Sequence, residues 1–97
     1  MKIGKVVGTV VATRKTEKLI GYKFLLVEIL KADSTPTGTH VVAVDVVDAG
    51  AGEVILLVEG SSARMAMPVD GLPVDAAICA VIDSIRIGDK EIKFQKD

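Results

Sequence analysis

The stretch Val41–Ala66, VVAVDVVDAGAGEVILLVEGSSARMA, breaks the apolar–polar alternation of a strand with one wet face. Val41 to Val47 is apolar except at Asp45, and Val54 to Val58 is apolar throughout. Strands with this pattern are buried on both faces. A chain of 97 residues has little interior in which to bury them. The pattern therefore predicts that other copies of the chain cover the second face.

The rest of the chain reads as further strands parted by turn signals. Lys2 to Lys15 is a long first strand, with Ile3, Lys5, Val7, Thr9, Val11 and Thr13 on one side and Gly4, Val6, Gly8, Val10, Ala12 and Arg14 on the other. Gly8 in mid-strand predicts a bend or a close backbone approach. Thr16 to Gly21 is a polar loop, of the kind that often carries an interaction. Lys23 to Leu30 is strand two, Ala32 to Thr39 a turn cluster with Pro36 and Gly38, and His40 to Val46 strand three. Val47 to Gly52 turns the chain, with Gly50 and Gly52 free to take positive φ, and Glu53 to Val58 is strand four. In Gly60 to Met67, Ser61 or Ser62 caps a short helix that includes Ala63, Arg64 and Met65 and ends at Pro68. Met67 to Pro73 is irregular, and Pro73 to Asp75 either adds a turn or leads straight into strand five. Ala76 to Ile87 is the last long strand, Gly88-Asp89 a two-residue turn, and Glu91 to Phe94 the returning strand.

Five main strands with one short helix between the fourth and fifth predict an all-β fold, a small closed barrel in a single domain over residues 1–97. The nearest common architecture is the oligonucleotide/oligosaccharide-binding barrel, in which the helix usually lies between the third and fourth strands.

Composition narrows the function more than the fold. The chain is 49% hydrophobic but 3% aromatic, and its net charge is −1. A barrel face for single-stranded nucleic acid needs stacking aromatics beside basic residues, and only Tyr22, Phe24 and Phe94 are available. Neither nucleic acid nor an anionic membrane is an expected partner. No run approaches the ~18 apolar residues of a membrane helix, and the first residues lack a signal-peptide pattern. The single cysteine, Cys79, excludes an intrachain disulfide and fits a reducing cytosol.

Candidate chemistry is thin. His40 and Cys79 are the only residues of their types, so neither a zinc site nor a Cys–His nucleophile is expected, and no cofactor is implied. The VDAGAGE turn lacks the Lys and Ser/Thr of a phosphate loop and joins two strands. Among the acids, Asp45 and Asp83 lie inside apolar strands, where a charge needs a donor, a cation or water. For these and for Asp48 and Asp75, subunit salt bridges or backbone caps explain the residues better than a catalytic pair, because no other catalytic group accompanies them. Arg64 is the natural partner for one acid, across a subunit boundary.

Taken in order, the motifs resemble the vertex proteins of bacterial microcompartments, the ethanolamine-utilisation and carboxysome vertex family. The similarity spans essentially the whole chain: Gly8 to Thr13 (GTVVAT), Lys23 to Leu26 (KFLL), Asp45 with Ala49-Gly50 and Gly52-Glu53, Gly60 to Arg64 (GSSAR, the most specific), and Pro73 to Ala76 leading to Ile82-Asp83. Many members carry Gly where this chain has Asp48 and Trp where it has Val54. Asp tolerates left-handed geometry well enough to keep the turn; Val54 predicts looser packing. The resemblance implies a five-stranded barrel, a homopentamer at the five-fold vertices of a shell in the bacterial cytoplasm, hexameric shell partners, and neither catalysis nor cofactor. The expected subunit interface comprises Gly60, Ser61, Ser62, Ala63, Arg64, Asp45, Gly50, Glu53, Asp75 and Asp83. The alternatives are an oligomeric barrel binding nucleic acid or a small anion, and an enzyme with a site between subunits.

Overall fold

The computed structural model describes residues 1–66 and 73–94. Strands β1 (Lys2–Val10), β2 (Lys23–Leu30), β3 (Pro36–Asp45), β4 (Val54–Glu59) and β5 (Ala76–Val81) form a closed barrel in the order β1-β2-β3-β5-β4. Helix α1 (Ser61–Met65) connects β4 to β5, as the sequence predicts. Strands β6 (Ser84–Ile87) and β7 (Lys90–Lys93) form a separate hairpin.

Alternation sorts the side chains. Val6, Leu25, Val27, Ile29, Ala43, Ile55, Leu57 and Ile78 fill the barrel interior. A second cluster lies on the outer wall, where Val44, Val58, Ala63, Val74 and Ala77 are buried and Phe24 and Tyr22 pack against them. So β4 and β5 are apolar on both faces partly because their own chain covers them. Ala63 of α1 is fully buried against this wall. Val54 is buried as well, 5% exposed, so the looser packing expected there does not open the wall.

The β1–β2 ladder slips between Val6 and Gly8, which is the bend expected at Gly8. The close approach lies elsewhere, at Gly4. A Cβ there would overlap Val27 Cγ1 and stand 3.2 Å from the Glu28 carbonyl oxygen. Gly4→Ala should therefore cost about 1–3 kcal/mol by overpacking, seen as a lower Tm at fixed protein concentration. Gly8→Ala, whose Cβ would meet Leu26 at an ordinary 3.6 Å, is the milder control.

Several boundaries differ from the sequence expectation. β1 ends at Val10, whose partner is Phe24; beyond it the chain has no strand to pair with, and a 3₁₀ turn (Glu17–Leu19) follows. β3 begins at Pro36, not His40. Turn-forming residues are held in the strand because Leu30 pairs with Pro36 across a register shift and Thr37 Oγ1 donates to the Ile29 carbonyl at 2.6 Å. The helix N-cap is Gly60 at φ 66°, with no side-chain cap, and Ser61 is already helical. Gly52 takes positive φ as expected, but the second such residue in that turn is Asp48 (φ 58°), not Gly50. The predicted strand Ala76–Ile87 divides at Ile82-Asp83, where the Ile82 N–H donates to the Val54 carbonyl at 2.8 Å and β6 leaves the barrel. The returning strand begins at Lys90 rather than Glu91. The predicted helix stop at Pro68, and most of the segment Met67 to Pro73, lie outside the described residues.

Candidate functional site

The residues singled out by sequence fall into two groups at opposite ends of β4, about 20 Å apart along a six-residue strand. At one end, Gly60 to Arg64 stand beside Asp75, because the Gly60 N–H donates to the Asp75 carbonyl at 2.8 Å. Small residues make this possible: Ala63 fits against Val58 and Val74 where a larger side chain would lift the helix. Arg64 and Met65 point outward and are exposed, Met65 at 87%. Arg64 has no ion pair among the described residues.

At the other end, Gly50 and Glu53 close the β3–β4 turn. The Gly50 N–H donates to Glu53 Oε1 at 2.5 Å, and the turn is pinned to β1 by Gly52 N–H to the Val6 carbonyl (2.9 Å) and Val6 N–H to the Glu53 carbonyl (3.0 Å). Asp83 is exposed nearby, next to Ile82 on Val54.

Asp45 serves its own chain. Its side chain is fully buried; Oδ1 accepts from Val47 N–H (3.1 Å), and Oδ2 from Ala49 N–H (2.9 Å) and from Lys23 Nζ (3.1 Å). The buried charge thus finds the donors it requires. Lys23, the residue that sequence reading missed, also reaches exposed Asp48 at 3.2 Å. A KFLL strand start gives no sign of this, because the partner lies 22 positions away across the β2–β3 ladder, where Lys23 faces Asp45.

Hydrogen bonds to Asp45 and then Asp48 push the Lys23 pKa above its ordinary 10.5. A lysine held protonated is neither base nor nucleophile near neutrality. A pKa raised on folding adds stability that is complete below the unfolded value and disappears as pH rises through the folded one. Between about pH 9 and pH 11.5, wild-type stability should therefore fall more than that of Lys23→Met. Equal losses would place the alkaline sensitivity on other groups.

His40 is exposed on β3, and the Cys79 thiol packs against the Leu56 carbonyl at 3.5 Å. The described residues contain no group of three or more potential metal-ligating side chains.

These features define a small closed five-stranded barrel with one short helix between β4 and β5. The profile of the family described as "Ethanolamine utilisation protein EutN/carboxysome" matches residues 1–83, and the chain belongs to that family. It is 44% identical over 86 residues to the bacterial microcompartment shell vertex protein GrpN of Rhodospirillum rubrum, covering 89% of this chain and 97% of that protein. It is 36% identical over 97 residues to the carboxysome shell vertex protein CcmL of Gloeobacter violaceus, covering 100% and 97%. The solved structure of the Gloeobacter protein superposes with a TM-score of 0.92 over the full length of both chains. The Rhodospirillum protein, described as a pentameric microcompartment shell protein, superposes at 0.83 with 41% identity, covering 90% and 99%.

Proposed function

We propose that this chain is a structural shell protein of a bacterial microcompartment, and that its cyclic pentamer caps the five-fold vertices of the shell. The full-length likeness to vertex proteins, in both sequence and structure, carries this reading. The local chemistry agrees with it. Asp45, the one buried acid among the described residues, holds a turn of its own chain, and the lysine beside it is held protonated. Tyr22 and Phe24 are partly buried against the outer-wall cluster.

Six-fold units tile a plane, and closing such a sheet into a polyhedron requires five-fold corners. The partners at those corners are hexameric shell proteins, and the setting is a shell inside the bacterial cell. The ring itself joins copies head to tail. Its contacts include Gly60, Ser61, Ser62, Arg64, Gly50, Glu53, Asp75 and Asp83, while Ala63, expected there too, is buried against its own barrel and Asp45 holds the turn that presents Gly50 and Glu53.

Two measurements test the reading. Light scattering should give about five times the 10.2 kDa chain, or ~51 kDa. Co-expression of hexameric shell proteins with this chain should give closed, compact polyhedra, and without it elongated or open-cornered shells. A monomer at micromolar concentration, or equal closure in both cases, overturns the assignment.

A further inference from the structure

The β6–β7 hairpin is a two-stranded sheet that pairs with no barrel strand among the described residues. Isolated two-stranded hairpins are marginal in water. Its turn is well formed, with Gly88 at φ 59° between Ile87 and Lys90. Its register places Ile85 opposite Ile92 and Ile87 opposite Lys90, which gathers three isoleucines and one lysine on one face. Ser84, Arg86, Glu91 and Lys93 occupy the other. The apolar face belongs to neither hydrophobic cluster of the chain, and Ile87 is 44% exposed.

A matching surface lies on the barrel. A groove of about 220 Å³ on the outer wall is lined by Phe24, Val42, Val44, Val74 and Ala76, with Asp75 as its only charged side chain among the described residues. Val42 is 47% exposed there, and Asp75 has no ion pair among the described residues. The hairpin is apolar with one cation; the groove is apolar with one anion. They sit on different flanks of the same barrel. The hairpin root, at Lys93 and Phe94, lies against Lys5, Leu30 and Val54 on the β4-β1-β2 side, whereas the groove is on the β2-β3-β5 side. A subunit therefore cannot easily fill its own groove, but a neighbour can. Two complementary patches on different faces make a head-to-tail contact, which closes into a ring. The molecule is 47 Å long and 23 Å across, so its long dimension reaches well past one barrel width.

We infer that the hairpin is an inter-subunit arm, whose Ile85–Ile87–Ile92 face seats in the Phe24–Val42–Val74 groove of the next copy, with Lys90 against Asp75. The inference rests on the ring reading above.

Disulfide trapping tests it. On a Cys79→Ser background, Ile87→Cys with Val42→Cys should, on mild oxidation, give a covalent ladder rising past dimer to pentamer. Each single-cysteine variant should stop at dimer. Independently, Ile85→Ser with Ile92→Ser should raise at least tenfold the concentration at which half of the rings dissociate. An intact wild-type pentamer by native mass spectrometry, with no ladder beyond dimer and no effect of the serine pair, overturns the arm and leaves the pentamer standing. A wild-type monomer overturns both.

Discussion

Asp45→Ala should lower stability by about 2–4 kcal/mol, chiefly by leaving buried donors unsatisfied. The Ala49 N–H lies in the barrel core and loses its acceptor; the Val47 N–H, nearer the surface, loses less. The ion pair to Lys23 adds little, since that side chain is 46% exposed. For a domain of this size each kcal/mol moves Tm by roughly 4–8 °C. The variant should thus melt ~10 °C or more below wild type, compared at equal protomer concentration because assembly itself shifts Tm. Asp45→Asn separates charge from shape. An amide has one acceptor oxygen for two backbone N–H groups, so it should recover part of the loss and not all of it. A melting temperature unchanged in Asp45→Ala would mean that the β3–β4 turn holds without its carboxylate. That would return Asp45 to the list of residues available to a neighbour.

The case of Asp45 also marks how far the sequence could be read. A lone acid in VVAVDVV must meet a donor, and it does; which donor depends on register, which a single sequence does not display. β2 was legible to the residue because Lys23 opens, and a turn cluster follows, an eight-residue segment that is otherwise apolar except at Glu28. The start of β3 was not, since Pro36, Gly38 and two threonines read as a turn and are held as a strand only by the partner beside them. The break at Ile82-Asp83 is hidden for the opposite reason: apolar positions resume beyond it at Ile85 and Ile87, so the run reads as one strand, and only the bond from Ile82 to Val54 shows where the barrel ends. Strands apolar on both faces predicted covering by other copies. The structure assigns part of that cover to α1 and Val74, and leaves the hairpin face and the Val42 groove open. As for the candidate site, GSSAR was visible as a small-residue run ending in a cation. That it stands beside Asp75 was not, because adjacency in a barrel is set by strand order.

Arg64→Glu should abolish the ring while leaving the barrel folded. Arg64 is exposed on α1 and makes no ion pair within the described chain, so reversing its charge removes no intrachain salt bridge. Its exposed neighbours Ser61 and Ser62 are small enough to let another backbone come close. On the proposed interface the guanidinium would be buried against a carboxylate or carbonyl of the next subunit, and replacing it with an acid would cost ~3–5 kcal/mol per interface, the range for breaking a buried pair. Even ~3 kcal/mol weakens a contact by roughly two orders of magnitude, and every contact in a cyclic assembly is weakened alike. Native mass spectrometry at micromolar concentration should then show monomer, with a circular dichroism spectrum like that of wild type. If the arm seats as inferred, with Lys90 against the Asp75 that stands beside α1, the acid that arrives there with the neighbour's hairpin is Asp89, next to Lys90 at the turn. Asp89→Arg combined with Arg64→Glu should then restore the ring. Arg64→Lys should weaken it only in part, since an ammonium keeps the charge and loses the planar fork. A ring of unchanged mass and melting temperature in Arg64→Glu would show that this arginine faces solvent in the assembly, and the small-residue run would then serve only to let α1 lie flat on β4 and β5.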